Sequence, residues 1–344
     1  RERILSIGRE QEVEDLRVAV VTGDDLIPRL DELLARGISF EHLETGEAFS
    51  AVRNEVISAN AYLGAPPIVD ALREGADIVV TGRTTDAALT LAPLIYEFDW
   101  PLDDWDRMAA GIVAGHLLEC GAQSSGGNFT DWKDVRNFAR IGFPVAEVEP
   151  DGSFVLTKHE GTGGLINAAT VKEQLIYEIQ DPTAYLTPDC TADFTSVRLS
   201  EVGEDRIRVS GVRGREAPEE YKVSASYHAG WKATGTLVYP WPDAAAKARA
   251  AAEIIETRLD DLGISLDAFR AELVGLNALA EDAAPRFAKE EDLNEVMLRV
   301  SVRDADREPV ARFGREVVPL VLTGPPGATG YAGGRPKPSE IYAY

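Results

Sequence analysis

Cysteine, histidine and lysine are all scarce in this chain: among 344 residues there are 2 cysteines, 4 histidines and 8 lysines. Cys120 and Cys190 form no CxxC pair, which argues against a disulfide framework and against a structural zinc site. His42, His116, His159 and His228 are scattered, so a multi-histidine metal centre is not expected. No apolar run approaches the roughly 20 residues of a membrane-spanning helix. Standard nucleotide and nucleophile signatures are missing as well: there is no G-x-x-x-x-G-K-[ST], no G-x-S-x-G, and no G-x-G-x-x-G between a strand and a helix. Positive charge is also short, 35 Lys and Arg against 58 Asp and Glu, for a net charge of -23. Such a surface repels nucleic acid and anionic membranes, while a local basic pocket can still hold a small-molecule anion. With no signal peptide visible, the cytoplasm is the expected location.

Against these absences one stretch stands out, G-A-D-I-V-V-T-G-R-T-T-D-A-A-L-T-L-A-P-L-I-Y-E-F at 75–98. Ile78–Val80 reads as a buried strand. Gly82 permits a sharp turn, Thr84 or Thr85 can cap a following helix, and Asp86 suits its first turn. Leu89, Leu91, Ala92 and Ile95 give that helix an apolar face. The earlier V-V-T-G-D-D, following a strand over Arg17–Val21, echoes the same device. Recurring strand–turn–helix units predict an α/β fold: a parallel, doubly wound, Rossmann-like domain over 1–188. An α+β domain with a mostly antiparallel sheet is expected over 189–322. Its predicted strands lie at 193–199, 206–211, 222–227, 233–239, 269–276 and 296–302, with helices over 243–262 and 307–322. A Gly/Pro-rich segment, 323–344, is expected to pack on the first domain. Ile4–Ile7 reads as a short strand.

Three glycine-containing loops carry the candidate chemistry. Gly82, Arg83, Thr84, Thr85 and Asp86 lie where open α/β sheets bind ligands, with Arg83 placed for a carboxylate or phosphate; the bland alternative is a structural turn. In G-A-Q-S-S-G-G-N, Gln123, Ser124 and Asn128 supply donors and acceptors beside Cys120, which is either a nucleophile or a small buried hydrophobe. Lys158, His159 and Glu160 can move a proton, with Lys158 and Glu160 on one strand face, and Gly161, Thr162, Gly163 and Gly164 then form a loop able to hold an anion. Thr170 with Glu173 matches a capping box for the next helix. No resident cofactor is expected. Mg²⁺ on Asp24, Asp25 and Asp86 is a minority reading beside solvated or capping carboxylates.

Six ordered motifs give the chain a family resemblance: A-N-A-Y-L-G-A (59–65), which includes Asn60, G-A-D-I-V-V-T-G-R-T-T-D-A-A-L (75–89), A-G-H-L-L-E-C-G-A-Q-S-S-G-G-N (114–128), T-K-H-E-G-T-G-G (157–164), V-S-G-V-R-G (209–214) and T-G-P-P-G-A-T-G-Y-A-G-G-R-P (323–336). Together they resemble the acyclic terpene utilisation protein A (AtuA) family. The resemblance implies breakdown of acyclic terpenoids through branched acyl-CoA intermediates, with coenzyme A entering as part of a substrate. It implies that the three loops line one pocket, but it carries over no catalytic residue set. Family members usually have a large βα region before the segment that corresponds to Arg17 onward, so a site formed there cannot be transferred. Some relatives carry a small extra C-terminal domain, which leaves room here for a separate small partner subunit. The expected activity is a hydratase or lyase acting on a small carboxylate or acyl-CoA. The alternative is a non-catalytic ligand-binding or scaffold subunit, and a homo-oligomer is the expected assembly.

Overall fold

The computed structural model describes residues 1–13, 15–276, 278–279, 289–330 and 334–344. The chain divides into two units, Arg1–Glu41 with Ser58–Ala225, and His42–Ile57 with Ser226–Tyr344. Unit 1 holds α1 (Glu2–Glu10), β1 (Val18–Val21), α2 (Leu30–Ala35), most of β2 (Val56–Ala61), α3 (Pro66–Arg73), β3 (Ile78–Thr81), α4 (Ala88–Phe98) and α5 (Trp105–Glu119). It continues with β4 (Pro144–Val148), β5 (Phe154–Lys158), α6 (Ala168–Leu175), β6 (Tyr185–Leu186), β7 (Thr191–Asp193), β8 (Arg198–Gly203), β9 (Arg206–Ser210) and β10 (Arg213–Arg215).

The doubly wound parallel sheet is not there. β1 and β3 do pair in parallel, from Val18 opposite Ile78 to Val21 opposite Thr81. Among the described residues these two strands are the whole of the parallel sheet. Val20 and Ile78 keep 46% and 37% of their surface exposed, so the pair lacks the helix cover on both faces that a parallel core requires. The other sheets of unit 1 are antiparallel, in the orders β4-β5-β9-β8 and β10-β7-β6. The reason is visible in the connections. β4 and β5 are joined by the tight turn Glu149–Gly152, closed by bonds between Glu149 and Ser153 and between Gly152 and Glu149. A hairpin of this kind can only pair antiparallel. The strand–turn–helix signature was therefore a correct local reading of β1 and β3, with no third parallel strand among the described residues to extend it. Ile4–Ile7, read as a strand, lies inside α1.

The core of unit 1 is organised around α5, in which every residue from Met108 to Leu117 is buried. A helix buried on every side belongs at the centre of a core. Asp104 caps it by accepting from Arg107 N. Two glycines let α4 close on α5: a Cβ on Gly111 would lie 2.5 Å from Leu91 Cδ1, and one on Gly115 would lie 2.6 Å from Ala87 Cα. That approach sets the start of α4, and the loop before it, against the last turn of α5.

Unit 2 contains most of β11 (Val223–Pro240), α7 (Ala244–Asp261), β12 (Ala268–Val274), β13 (Glu295–Asp304), α8 (Arg307–Val317), α9 (Leu320–Thr323) and β14 (Ser339–Ala343). Its strands run β12-β13-β11-β14. The two strands expected at 222–227 and 233–239 are one long strand, with a register shift between His228 and Trp231 where Gly230 adopts φ +93°. The alanine stripe Ala244, Ala245, Ala248, Ala251 and Ala252, with Ile255 and Leu259, packs with Leu237, Leu298 and Val300. The tail is held in this unit, where Thr329 bridges Val238 and β14 pairs with β11. Tyr331, Ala332 and Gly333 of the tail motif lie outside the described residues.

Candidate acid–base site

All three predicted loops fall in unit 1. At the end of β3, Gly82 lies against the buried Asp24, and a Cβ there would sit 2.0 Å from Asp24 Oδ1. Asp24 Oδ2 accepts from Asn60 Nδ2 at 2.9 Å and from Arg83 N at 2.7 Å. Burial raises the Asp24 carboxyl, but these donors outweigh it and hold the group below the usual carboxylate range. Asn60 and Asp24 thus fasten the loop rather than face a ligand. Thr84 Oγ1 donates to Leu63 O at 2.7 Å, Thr85 N donates to Leu63 O at 2.9 Å, and Leu63 N donates to Arg83 O at 3.2 Å. Neither threonine caps α4, whose N-cap position is Ala87 with no side-chain bond. The Arg83 side chain is exposed and lies over the Tyr62 ring at 5.2 Å.

Asp86, the last residue of this loop, meets a group that the sequence reading had not assembled. Its carboxyl neighbours that of Glu119, in the last turn of α5, closely enough for each to shift the other's protonation. Glu119 Oε1 lies 3.4 Å from His116 Nδ1, one helical turn back. His116 is 2% exposed, and its Nε2 is 2.8 Å from Gln174 O. A carbonyl oxygen can only accept, so Nε2 carries a hydrogen; Nδ1 faces Glu119, where a hydrogen bond needs a proton shared between that nitrogen and the carboxyl. Gln174 Nε2 donates back to His116 O at 2.9 Å, and Phe194 packs edge-on to the imidazole at 5.3 Å. The ring is therefore fixed in plane.

The two carboxyls are pushed in opposite directions. Desolvation of one side of its carboxyl, then the neighbouring Glu119 charge, raises Asp86, although the residue as a whole is exposed. The hydrogen bond to His116 leads in lowering Glu119, against the opposing effect of burial. Burial also raises the Cys120 thiol, which donates to Glu119 Oε1 at 3.7 Å, so this cysteine is held as a thiol rather than primed as a thiolate nucleophile. Tyr185, close by, is pushed up to about 12, chiefly by burial. His116 and Glu119 were missed as a pair in the sequence, although their H-x-x-E spacing on a helix puts both on one face.

The second and third loops touch each other, with Leu165 N donating to Ser125 O at 2.9 Å. Ser124 is fully buried and its Oγ donates to Leu117 O at 2.5 Å, closing the end of α5. Gln123 is half-buried, and Asn128 is exposed with φ 60°. β5 ends at Lys158, so strand alternation does not continue to Glu160. The Lys158 side chain is 7% exposed; its Nζ is 2.9 Å from Asp205 Oδ2 and donates to Thr162 O at 3.2 Å. His159, Glu160 and Gly161 are exposed, Thr162 Oγ1 donates to His159 O at 2.5 Å, and Gly163 and Gly164 are buried. Residues 158–162 line a groove of about 680 Å³ with Arg136, Asn167, Asp205 and Arg206. The capping box of α6 is Asn167 with Thr170, three residues earlier than the Thr170–Glu173 reading; Glu173 instead accepts from Thr130 N at 3.1 Å.

Asp24, Asp25 and Asp86 do not gather. Among the described residues no group of three or more His, Cys, Asp or Glu is arranged to hold a metal ion, and no helix is long and apolar enough to cross a membrane. Compared with known proteins, residues 1–344 match the family model described as acyclic terpene utilisation family protein AtuA. No curated protein and no solved structure matches the chain.

Proposed function

Starting from the premise that this chain belongs to the acyclic terpene utilisation (AtuA) family, we propose that it is an acid–base enzyme of acyclic terpenoid breakdown. It is a hydratase or lyase, and its substrate is a small carboxylate or a branched acyl-CoA thioester. The observation that carries this reading is the Asp86–Glu119–His116 group, with Glu119 Oε1 3.4 Å from His116 Nδ1 and two neighbouring carboxyls whose protonation tendencies are driven apart. Such a pair divides the labour of proton transfer, since the raised group can donate while the lowered one accepts. In the hydration direction Glu119 takes the proton from water as the oxygen attacks the β-carbon. Asp86 protonates the α-carbon of the resulting enolate. The proton that Glu119 acquires then passes to the neighbouring Asp86, which restores both groups, while His116, with Nδ1 facing Glu119, positions that carboxyl. Arg83, three residues before Asp86 and exposed, binds the anionic end of the substrate. Incubation of the purified protein with branched enoyl-CoA and hydroxyacyl-CoA substrates, followed by mass spectrometry, tests this. Absence of any conversion, with or without a co-expressed small partner, counts against it.

A second reading is a non-catalytic ligand-binding or scaffold subunit. It is favoured by the fate of the 158–160 cluster, where Lys158 is tied to Asp205 and Thr162 while His159 and Glu160 point to solvent. Activity that appears only in a complex with a small protein, and that survives replacement of both Asp86 and Glu119, would support it.

A further inference from the structure

Tyr62 has two cations over its ring. Arg83 Cζ lies 5.2 Å from the ring centroid and Lys222 Nζ lies 5.5 Å from it. The three residues come from distant parts of unit 1 and are joined through the backbone: Tyr62 N donates to Lys222 O at 3.0 Å and Leu63 N donates to Arg83 O at 3.2 Å. Asp24, by accepting from Arg83 N, fixes the base of the arginine.

The charge setting is unusual for this chain. With 58 acidic residues to 35 basic, carboxylate partners are plentiful. Yet among the described residues neither Arg83 nor Lys222 forms an ion pair, and both side chains are exposed. Two like charges held around one ring repel each other, and the ring face offsets only part of that repulsion. A ligand bearing two negative charges would neutralise both at once. Arg83 contributes a planar donor fork and Lys222 a compact ammonium, a pairing suited to phosphate oxygens. A singly charged carboxylate would leave one cation unmatched.

We propose that Tyr62, Arg83 and Lys222 form a binding site for a phosphate-bearing ligand of charge two or more, with Tyr62 as the platform between the two cations. The proposal shares Arg83 with the acid–base reading and extends it, but anion binding is measurable without turnover, so failure of one is distinguishable from failure of the other. Phosphate chemistry reaches such a site either as a free inorganic anion or as part of a nucleotide-like carrier, and the probes separate the two.

Isothermal titration at low salt would use inorganic phosphate, inorganic pyrophosphate, coenzyme A and, as the singly charged control, acetate. The expected result is saturable binding of pyrophosphate or coenzyme A, with acetate silent. Tighter binding of coenzyme A than of pyrophosphate assigns the site to a carrier, and the reverse assigns it to a free anion. Arg83→Gln and Lys222→Gln should each weaken binding about tenfold or more, as loss of one charged hydrogen-bond partner does. Both residues are exposed, so both variants should keep the wild-type circular dichroism spectrum and melting temperature. Lys133→Gln is the control, since it removes the same charge from beside another aromatic ring, that of Trp132, 5.9 Å away; it should leave binding unchanged. The proposal is overturned if no polyvalent anion binds at millimolar concentration. It is equally overturned if acetate binds as tightly as pyrophosphate, or if Lys133→Gln weakens binding as much as Lys222→Gln does.

Discussion

Replacing Asp189 with Asn should stabilise unit 1 progressively as the pH rises. Asp189 is 6% exposed. Its Oδ1 accepts from Ala65 N at 2.8 Å, at the start of α3, while its Oδ2 is buried with no hydrogen-bond partner. Gly64 is pressed against the carboxyl, and a Cβ there would lie 2.4 Å from Oδ1. Burial raises the carboxyl from its ordinary 3.8 to about 6, with the Ala65 N–H opposing. A carboxyl raised in the folded state contributes stability that is intact below 3.8 and is lost as the pH climbs through about 6. The full loss is about 3 kcal/mol by pH 8, of which about half is already incurred at pH 5. The field at the start of α3 favours the anion by up to about 1 kcal/mol, so these figures are upper values. Asn keeps the acceptor and the shape but does not ionise. Any pH-independent cost of the new amide cancels when the same pair of proteins is compared at two pH values. The stability difference, variant minus wild type, should therefore move in the variant's favour by about 1 kcal/mol between pH 5 and pH 8. Urea unfolding of both proteins at pH 5, 6.5 and 8, followed by circular dichroism and by tryptophan fluorescence, measures it. A difference that stays constant across this range, or that shrinks, would refute the claim that Asp189 is ionised against its surroundings at neutral pH.

Three further outcomes follow from the site and its supports. Asp86→Asn and Glu119→Gln should each lower kcat by about 100-fold or more, the usual contribution of a positioned acid or base, and the wild-type pH–rate profile should lose its alkaline limb in Asp86→Asn. Gly115→Val should destabilise the protein by about 1–3 kcal/mol in chemical denaturation, because its side chain must displace the Ala87 backbone, and it should also reduce activity by moving Asp86 away from Glu119. Lys158→Ala should lower stability by about 1–3 kcal/mol by leaving Asp205 without its cation; Lys158→Ala with Asp205→Ala should recover part of that loss in a double-mutant cycle.

Much of the local structure was legible in the sequence because it depends on neighbouring residues. The helix expected over 243–262 is α7, and the strands expected at 206–211, 269–276 and 296–302 are β9, β12 and β13 to within a few residues. The same kind of signal misled wherever length or partner was at issue. Ile4–Ile7 is as compatible with a helix as with a strand, and the two predicted halves of β11 are continuous because Gly230 absorbs a bulge that no pattern displays. The capping box before α6 was displaced because two overlapping sets of capping residues, Asn167 with Thr170 and Thr170 with Glu173, compete in the sequence, and only Glu173's bond to Thr130 removes it from the contest.

By itself, then, the sequence determined the periodicity of its helices and strands, the acidic surface, the loop at Gly82–Asp86 and the family motifs. Only tertiary structure decided which strands pair and which side chains meet. β5 pairs with β9, far along the chain, and that choice turns a parallel α/β expectation into antiparallel sheets. Asp86 reaches Glu119 because Gly115 lets α4 lie against α5, and His116 aims at Glu119 because Gln174, on another helix, holds the far side of its ring. Hydrophobic spacing specifies which face of an element is buried; it does not specify what that face is buried against. The candidate acid–base group is made of contacts of that second kind, and so it emerged only when the chain was seen folded.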